Sequence, residues 1–196
     1  MTENSKYRSV KRWLWRGQES ALPTGEIFSR LYEDSHLLVF RYIYGLCGGP
    51  RQEAEDLTSE TFTRAWKARH RFNGDETAAV HWLLQIARNL VIDQSRRRKT
   101  RGEPDENFSI EQLVEPDLLP ELDVITREQI ATLWRMLNTL NTDVREMLVL
   151  RYLLGWQVRQ IAALLGMDEN NVTVTIKRTL KSLQHDWPQS QEQDNG

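Results

Sequence analysis

The sequence predicts an all-α protein with two small helical domains joined by an acidic linker, the second domain containing a helix-turn-helix. Apolar residues recur at helical spacing through residues 26–102 and again through 127–184, which we take as the two domains. Between them, residues 103–126 carry eight acidic residues, no basic residue and three prolines, a composition typical of a linker. Residues 1–25 are weakly patterned, and residues 185–196 are polar, so we expect a weakly ordered N-terminal segment and a disordered tail.

Length and composition exclude several classes of protein. The 196 residues are 39% hydrophobic and 28% charged, as in an ordinary soluble protein. No stretch of about 18 apolar residues could span a membrane, and no secretory signal precedes the first domain, so we expect a cytoplasmic protein without membrane insertion. Cys47 is the only cysteine, which excludes an intramolecular disulfide and favours a small core residue over a reactive thiol. Because no metal-ligand spacing, phosphate loop or nucleophile elbow occurs, we expect neither an enzyme nor a cofactor or metal.

Charge is segregated along the chain. Residues 1–102 hold 18 basic and 12 acidic residues, a net charge of +6, whereas residues 103–126 carry −8 and residues 127–196 are neutral. The overall charge of −2 taken alone argues against nucleic-acid binding, for which a basic domain is expected. The segregation reverses that argument for the first domain, because an average conceals its positive charge.

Three helices are predicted in the first domain. The first ends at a glycine-rich break over residues 45–50, and a loop over residues 71–79 separates the second helix from the third. The third helix follows the i, i+3, i+4, i+7 rule and runs into the basic string 96–101. The apolar faces of the three helices consist in order of Ile27, Leu31, Leu38 and Tyr42; of Ala54, Leu57, Thr61 and Ala65; and of Val80, Leu83, Leu84, Ala87, Leu90 and Val91.

Four shorter helices are predicted in the second domain. Asn141 to Asp143 supplies a helix N-cap, and Asp143 and Glu146 have the spacing of a capping box. Gly155 and Gly166 suit helix ends. Residues 172–176 alternate and are β-branched, which is typical of a strand, but the apolar spacing of the last helix continues through them, so we predict a helix.

The last two helices and the turn at Gly166 predict a helix-turn-helix, in which the second helix enters the DNA major groove. Asn side chains can read adenine, Val and Thr methyl groups can contact thymine, and Lys and Arg bind phosphate or guanine. The alternative is an ordinary helical hairpin without DNA. The candidate base-reading residues are Asn170, Asn171, Thr173, Val174, Lys177 and Arg178.

A second candidate surface is the outward face of the third helix, where an aromatic ring, amides and cations suit unstacked bases and a phosphate backbone. The alternative is a solvated helix face with one exposed Trp. Phe72, Asn73 and Asp75 precede this helix and are candidates to flank a flipped base. The face itself contains Trp82, Gln85, Asn89, Asp93 and Arg96, and the basic run Arg96–Arg98 favours phosphate contact.

A third candidate surface lies on the second helix, where acidic residues adjoin two aromatic residues. Acidic residues in a first turn stabilise the helix dipole, and Glu60 can pair with Arg64, so the charges need no partner. The functional alternative is a protein-docking surface anchored by an aromatic side chain. Its candidate residues are Glu55, Asp56, Leu57, Glu60, Phe62 and Trp66.

Residues 54–75 and 81–99 together resemble domain two of the extracytoplasmic-function, or group IV, sigma factors of bacterial RNA polymerase. Residues 140–183 resemble domain four of the same family. The resemblance implies a sigma factor that binds core RNA polymerase and promoter DNA and is controlled by an anti-sigma factor. It implies that the acidic linker threads the RNA exit channel of the polymerase.

The resemblance also implies roles for residues of this sequence. The candidate residues on the second helix correspond to the segment that docks on the clamp helices of the largest polymerase subunit. Phe72, the loop after it, Arg88 and Asn89 correspond to the part that captures minus-ten bases, and Arg96, Arg97 and the residues after them to its backbone-tracking end. Thr173, Val174, Lys177 and Arg178 correspond to positions that read the minus-thirty-five duplex. Relatives usually carry more basic residues where Thr173 and Thr175 stand here, so we expect weaker phosphate anchoring.

Two other functions remain possible at this stage. A stand-alone helix-turn-helix regulator would bind duplex DNA without polymerase, but it has no need of the base-capturing residues in 54–99. A helical adaptor that does not bind DNA conflicts with the charge segregation.

The linker charge yields a testable prediction. Neutralising the acidic residues of 103–123 should strengthen nonspecific DNA binding by the free protein at low salt, because a screen for its own basic surface is removed. The affinity for a mixed-sequence duplex measures the effect, and an unchanged affinity contradicts a screening role.

Overall fold

The computed structural model describes residues 25–48, 50–102 and 127–188. The predicted N-terminal segment, the acidic linker and all but the start of the predicted tail lie outside these residues. None of the helices in the described ranges is long and apolar enough to cross a membrane.

Seven α-helices make up the described part of the chain, which contains no strand, so the all-α prediction is confirmed there. A short 3-10 turn, Arg69–Arg71, follows the second helix, and a π-helical turn, Val149–Leu153, follows the fifth. The helices are α1 (Gly25–Cys47), α2 (Arg51–Ala68), α3 (Glu76–Arg101), α4 (Arg127–Thr139), α5 (Thr142–Leu148), α6 (Val158–Leu165) and α7 (Glu169–Asp186).

The break after α1 is shorter than predicted. Gly45 is still helical, and the chain leaves the helix only at Gly48, whose φ of +56° favours glycine. Gly45 is tolerated within α1 because its lack of a side chain permits a close approach by the π-helical turn.

The predicted loop over residues 71–79 is also too long. Asp75 accepts a hydrogen bond from the amide of Ala78 at 2.8 Å, and α3 therefore begins at Glu76. Residues 76–79 are helical rather than irregular, and the loop shrinks to the few residues between Arg71 and Glu76.

Helices α1, α2 and α3 pack together around an apolar core, and these form the N-terminal domain. The hydroxyl groups of two buried threonines, Thr58 and Thr61, donate to the carbonyls of Ala54 and Leu57 at 2.7 Å, so these side chains can face the core. Buried side chains at the centre of the domain include Val39, Tyr42, Ile43, Ala65, Leu83, Leu84 and Ala87.

Helices α4 to α7 form the C-terminal domain, and most of their ends follow the predicted signals. Asn141 caps α5 by accepting from the amide of Val144 at 2.9 Å, and Gly166 ends α6 in the left-handed conformation at φ +64°. The predicted helix over Val172–Ile176 is confirmed, and α7 continues to Asp186, two residues beyond the predicted end. The capping box between Asp143 and Glu146 is wrong, because Glu146 is buried and binds side chains of the N-terminal domain.

The two domains share one continuous core. Helix α1 lies against α5 and the π-helical turn, and the ring of Tyr44 packs edge-on against Trp134 with centroids 5.4 Å apart. Across α3, His81 packs on Trp156 at 5.1 Å. The C-terminal domain is thereby held close to one side of α3.

The cap of α7 yields a stability prediction. Asp168 accepts hydrogen bonds from the amides of Asn170 at 2.8 Å and Asn171 at 3.3 Å, so Asp168→Ala should lower the free energy of unfolding by about 1 kcal/mol. Chemical denaturation measures the loss. Asp168→Asn retains a capping oxygen and should lose little; equal losses in the two variants contradict the assigned role.

Candidate nucleic-acid and protein interfaces

The outward face of α3 is polar and accessible. Gln85, Asn89, Asp93 and Arg96 are all exposed, as the helical spacing predicts. Their apolar neighbours on the other side of α3 are buried and hold the helix rigidly against α1 and α2. Two amides and a cation thus stand in a row on a supported helix, an arrangement suited to bases and backbone phosphates.

The loop before α3 places its three predicted residues differently. Phe72 is buried and packs on Trp82 with ring centroids 5.0 Å apart, so in this conformation it supports Trp82 rather than facing solvent. Asn73 is exposed, and Asp75 is exposed while its carboxylate caps α3. A side chain on Gly74 would meet the Phe72 ring at 3.0 Å, so the loop lies tightly over that ring.

The basic end of α3 divides into two parts. Arg96 and Arg97 are exposed and available to an anionic ligand. Arg98 is half-buried and forms an ion pair with Glu53 of α2, which ties this end of α3 to the body of the domain.

The face of α7 is the second nucleic-acid candidate. Val172 and Ile176 are buried, which turns Asn170, Asn171 and Val174 toward solvent. Val174 is 54% exposed, high for an aliphatic side chain on a fixed helix. Lys177 and Arg178 are exposed one turn later, and the half-buried Thr173 donates its hydroxyl to the carbonyl of Glu169 at 2.8 Å.

The candidate residues on α2 divide into a buried and an exposed group. Leu57 and Phe62 are buried, so they support the surface rather than form it. The exposed group consists of ion-paired or hydrogen-bonded acids and one aromatic. Glu55 pairs with Arg51 at 2.7 Å, Asp56 accepts from Gln52 at 3.1 Å, Glu60 pairs with Arg64 at 2.7 Å, and Trp66 is 38% exposed.

Comparison with known proteins was made against families and individual relatives. Residues 31–101 match the family Sigma-70 region 2, and residues 130–183 match Sigma-70, region 4. ECF RNA polymerase sigma factor SigC of Mycobacterium tuberculosis (strain CDC 1551 / Oshkosh) is 35% identical over 137 residues, which cover 66% of this chain and 68% of SigC. The chain belongs to the extracytoplasmic-function sigma factors of the sigma-70 family.

Two further similarities agree with this assignment. ECF RNA polymerase sigma factor BldN of Streptomyces coelicolor (strain ATCC BAA-471 / A3(2) / M145) is 34% identical over 158 residues; the match covers 81% of this chain and 59% of the length of BldN. The structure of the sigma factor RpoE in complex with the anti-sigma factor NepR from Bartonella quintana aligns with a TM-score of 0.61 at 23% identity. That alignment covers 83% of this chain and 96% of RpoE and supports the fold.

The sequence patterns of this sigma factor missed an aromatic cluster between α1 and α2. Phe28, Tyr32 and His36 of α1 surround Phe62 and Trp66 of α2, with the rings of Tyr32 and Phe62 4.7 Å apart. Tyr32 is 42% exposed, so it widens the aromatic surface around Trp66. The i, i+4, i+8 spacing of the three α1 residues was a usable signal.

The guanidinium of Arg69 adds to the Trp66 side of this cluster. It lies 3.6 Å from the centre of the Trp66 ring and donates to the Trp66 carbonyl at 2.7 Å. This cation–π contact fixes the indole on the surface.

The sigma factor also contains a buried carboxylate that sequence reasoning assigned to a helix cap. Glu146 accepts from the Tyr42 hydroxyl at 2.5 Å and from Arg88 Nε at 2.7 Å, and Arg88 also donates to Asp143 at 2.6 Å. Burial raises the pKa of Tyr42, and the adjacent Glu146 charge raises that pKa further, so the hydroxyl stays a donor. Arg88, expected at the minus-ten site, is therefore engaged by the C-terminal domain.

Cys47 fits the role of a core residue. It is partly buried, and burial raises the pKa of its thiol to about 12, with the nearby Glu53 charge acting in the same direction. Within the described ranges, no group of three or more His, Cys, Asp or Glu residues is arranged to hold a metal ion.

Proposed function

We propose that this sigma factor binds core RNA polymerase and directs it to a promoter class by using two separate DNA surfaces. The exposed amide face of α3 carries the proposal. A rigid row of Gln85 and Asn89 beside the Phe72-supported Trp82 offers hydrogen bonds and a stacking surface to unstacked bases. A duplex-binding regulator has no use for such a face.

The minus-ten surface is proposed to capture bases from the melted strand. Asn89 and Gln85 would hydrogen-bond base edges, while Arg96 and Arg97 contact the backbone. Asn73 and Asp75 lie at the edge of this surface, and Phe72 acts from beneath it. Arg88 would join the surface only after leaving Glu146.

The minus-thirty-five surface is proposed to be the exposed side of α7. Val174 projects far enough to contact a thymine methyl, with Asn170 and Asn171 near the helix N-terminus and Lys177 and Arg178 one turn on. The C-terminal domain is neutral over residues 127–196, which supports weak nonspecific anchoring and a larger dependence on base contacts.

The polymerase-docking surface is proposed to be the exposed part of α2, with Glu55, Asp56, Glu60 and Trp66 directed toward the clamp helices of the largest subunit. Ion pairs within α2 order the acidic side chains, and Arg69 holds Trp66 in place. We also propose control by an anti-sigma factor, because the similar RpoE structure contains one.

Run-off transcription tests the proposed function. Purified core polymerase, this chain and a pool of genomic promoter fragments should give discrete transcripts that core polymerase alone does not give. Trp66→Ala should reduce both polymerase binding and transcript yield, because an exposed aromatic anchor is removed. No transcript above core alone, together with tight binding of free duplex, favours the stand-alone regulator.

Asn89 provides a separate test of base capture. Asn89→Ala should lower promoter opening about tenfold, the effect of losing one good polar contact to a base, while polymerase affinity is retained. Permanganate reactivity of unpaired thymines measures opening, and Ser95→Ala on the same helix is the control. Equal loss of opening and polymerase binding contradicts base capture by Asn89.

A further inference from the structure

The contact between the two domains is centred on a carboxylate without access to water. Glu146 is 0% exposed, and its two oxygens are bound separately by Tyr42 and Arg88, both from the N-terminal domain. Moving an ionised carboxylate out of water is unfavourable unless donors replace the lost hydration. Since both donors found for Glu146 belong to the other domain, its burial depends on the domains remaining together.

The same contact occupies a cation that the proposed minus-ten surface needs. Arg88 directly precedes Asn89 on α3, yet its guanidinium binds Glu146 and Asp143 of α5. Asp143 remains largely exposed and places a negative charge beside the α3 face. The two carboxylates stand where phosphate oxygens would otherwise approach Arg88.

An apolar contact next to this network is tight enough to depend on a glycine. A Cβ atom built on Gly45 would lie 2.8 Å from Cγ2 and 2.9 Å from Cγ1 of Val149, closer than carbon atoms pack. Arg145 strengthens the same contact by donating to the carbonyl of Leu46 at 2.9 Å. The closed arrangement therefore has a steric requirement that can be altered without touching any charged residue.

We propose that the C-terminal domain holds the free protein in a closed, autoinhibited form in which Glu146 occupies Arg88 in place of DNA phosphate. The inference rests on the proposed minus-ten role of α3. In the closed form the chain binds single-stranded DNA weakly, and separation of the domains releases Arg88 and removes Asp143 from the α3 face. The apparent affinity for DNA is then reduced by the fraction of chains that are open.

Gly45→Ala opens the closed form by sterics alone. The alanine collides with Val149, but it is a better helix former than glycine, so α1 and the N-terminal domain should remain folded. Gly25→Ala is the matched control, because a Cβ there meets its nearest neighbour, Trp66, at an ordinary 3.8 Å. We expect Gly45→Ala to bind a short mixed-sequence single-stranded DNA about fivefold more tightly than wild type at low salt, and Gly25→Ala to match wild type.

Glu146→Gln opens the same contact by removing charge. Glu128→Gln, at an exposed position of α4, makes the same change in net charge without affecting the contact. Only Glu146→Gln should gain affinity by about the same factor as Gly45→Ala. Adding Arg88→Gln to Gly45→Ala should abolish most of the gain, and retention of the full gain would overturn the role of Arg88. Circular dichroism checks that each variant is helical.

A disulfide measures closure independently of DNA. In a Cys47→Ser background, Gly45→Cys with Val149→Cys should oxidise rapidly to an intramolecular disulfide, because the two side chains already touch. Gly25→Cys with Val149→Cys should not, since Gly25 lies about 30 Å along α1 from Gly45. The oxidised chain should bind single-stranded DNA poorly and recover on reduction.

The outcomes separate this inference from the proposed function. Slow oxidation of the Gly45 and Val149 cysteine pair, or equal DNA affinity of wild type and both opening variants, overturns the autoinhibited form. A chain that crosslinks rapidly and gains affinity on opening supports it. Failure of run-off transcription by the reduced chain instead counts against the sigma-factor activity, because crosslinking reports closure without polymerase or promoter.

Discussion

The buried carboxylate of Glu146 is the constraint on which the arrangement of the two domains depends. An ionised carboxylate loses its hydration when it is buried, and only hydrogen bonds from Tyr42 and Arg88 replace that hydration here. Removing one partner of such a pair typically costs about 3–5 kcal/mol, since the remaining charge is left without compensation. The burial of one side chain therefore specifies how α5 lies against α1 and α3, and the apolar contact at Gly45 and Val149 forms only in that arrangement.

The candidate binding faces are placed by residues that do not themselves face solvent. Phe72 lies beneath Trp82, Phe62 beneath the Tyr32 and Trp66 surface, and Val172 beneath the exposed side of α7. This division explains why a residue can belong to a functional motif while being buried. Its contribution is to hold a neighbouring side chain in a fixed position, and a rigid surface loses less conformational freedom when it binds a ligand.

Much of the fold was accessible from periodicity and end signals. Apolar spacing predicted the helices, including α7 through its β-branched segment, and glycine and cap residues predicted most of its ends. Errors arose where a local signal had two interpretations. Gly45 was predicted to break a helix but lies inside α1 at a close contact, and residues 76–79 were assigned to a loop although Asp75 caps a helix there. The exposed faces of α3 and α7 followed from the same spacing, whereas the α1 side of the aromatic cluster was missed.

Sequence alone determined the helical class, the order of the elements and the residues that face outward on α3 and α7, because these follow from local periodicity along one helix. The family resemblance, carried by motif order and spacing, was equally a property of the sequence. Only the tertiary structure decided the state of Glu146 and Arg88. At the level of sequence, Glu146 has the spacing of a capping residue and Arg88 that of a DNA contact, and each is satisfied instead by a partner more than fifty residues away. Interactions at such separations leave no periodic trace, since they depend on how whole helices pack rather than on the turn in which a residue sits.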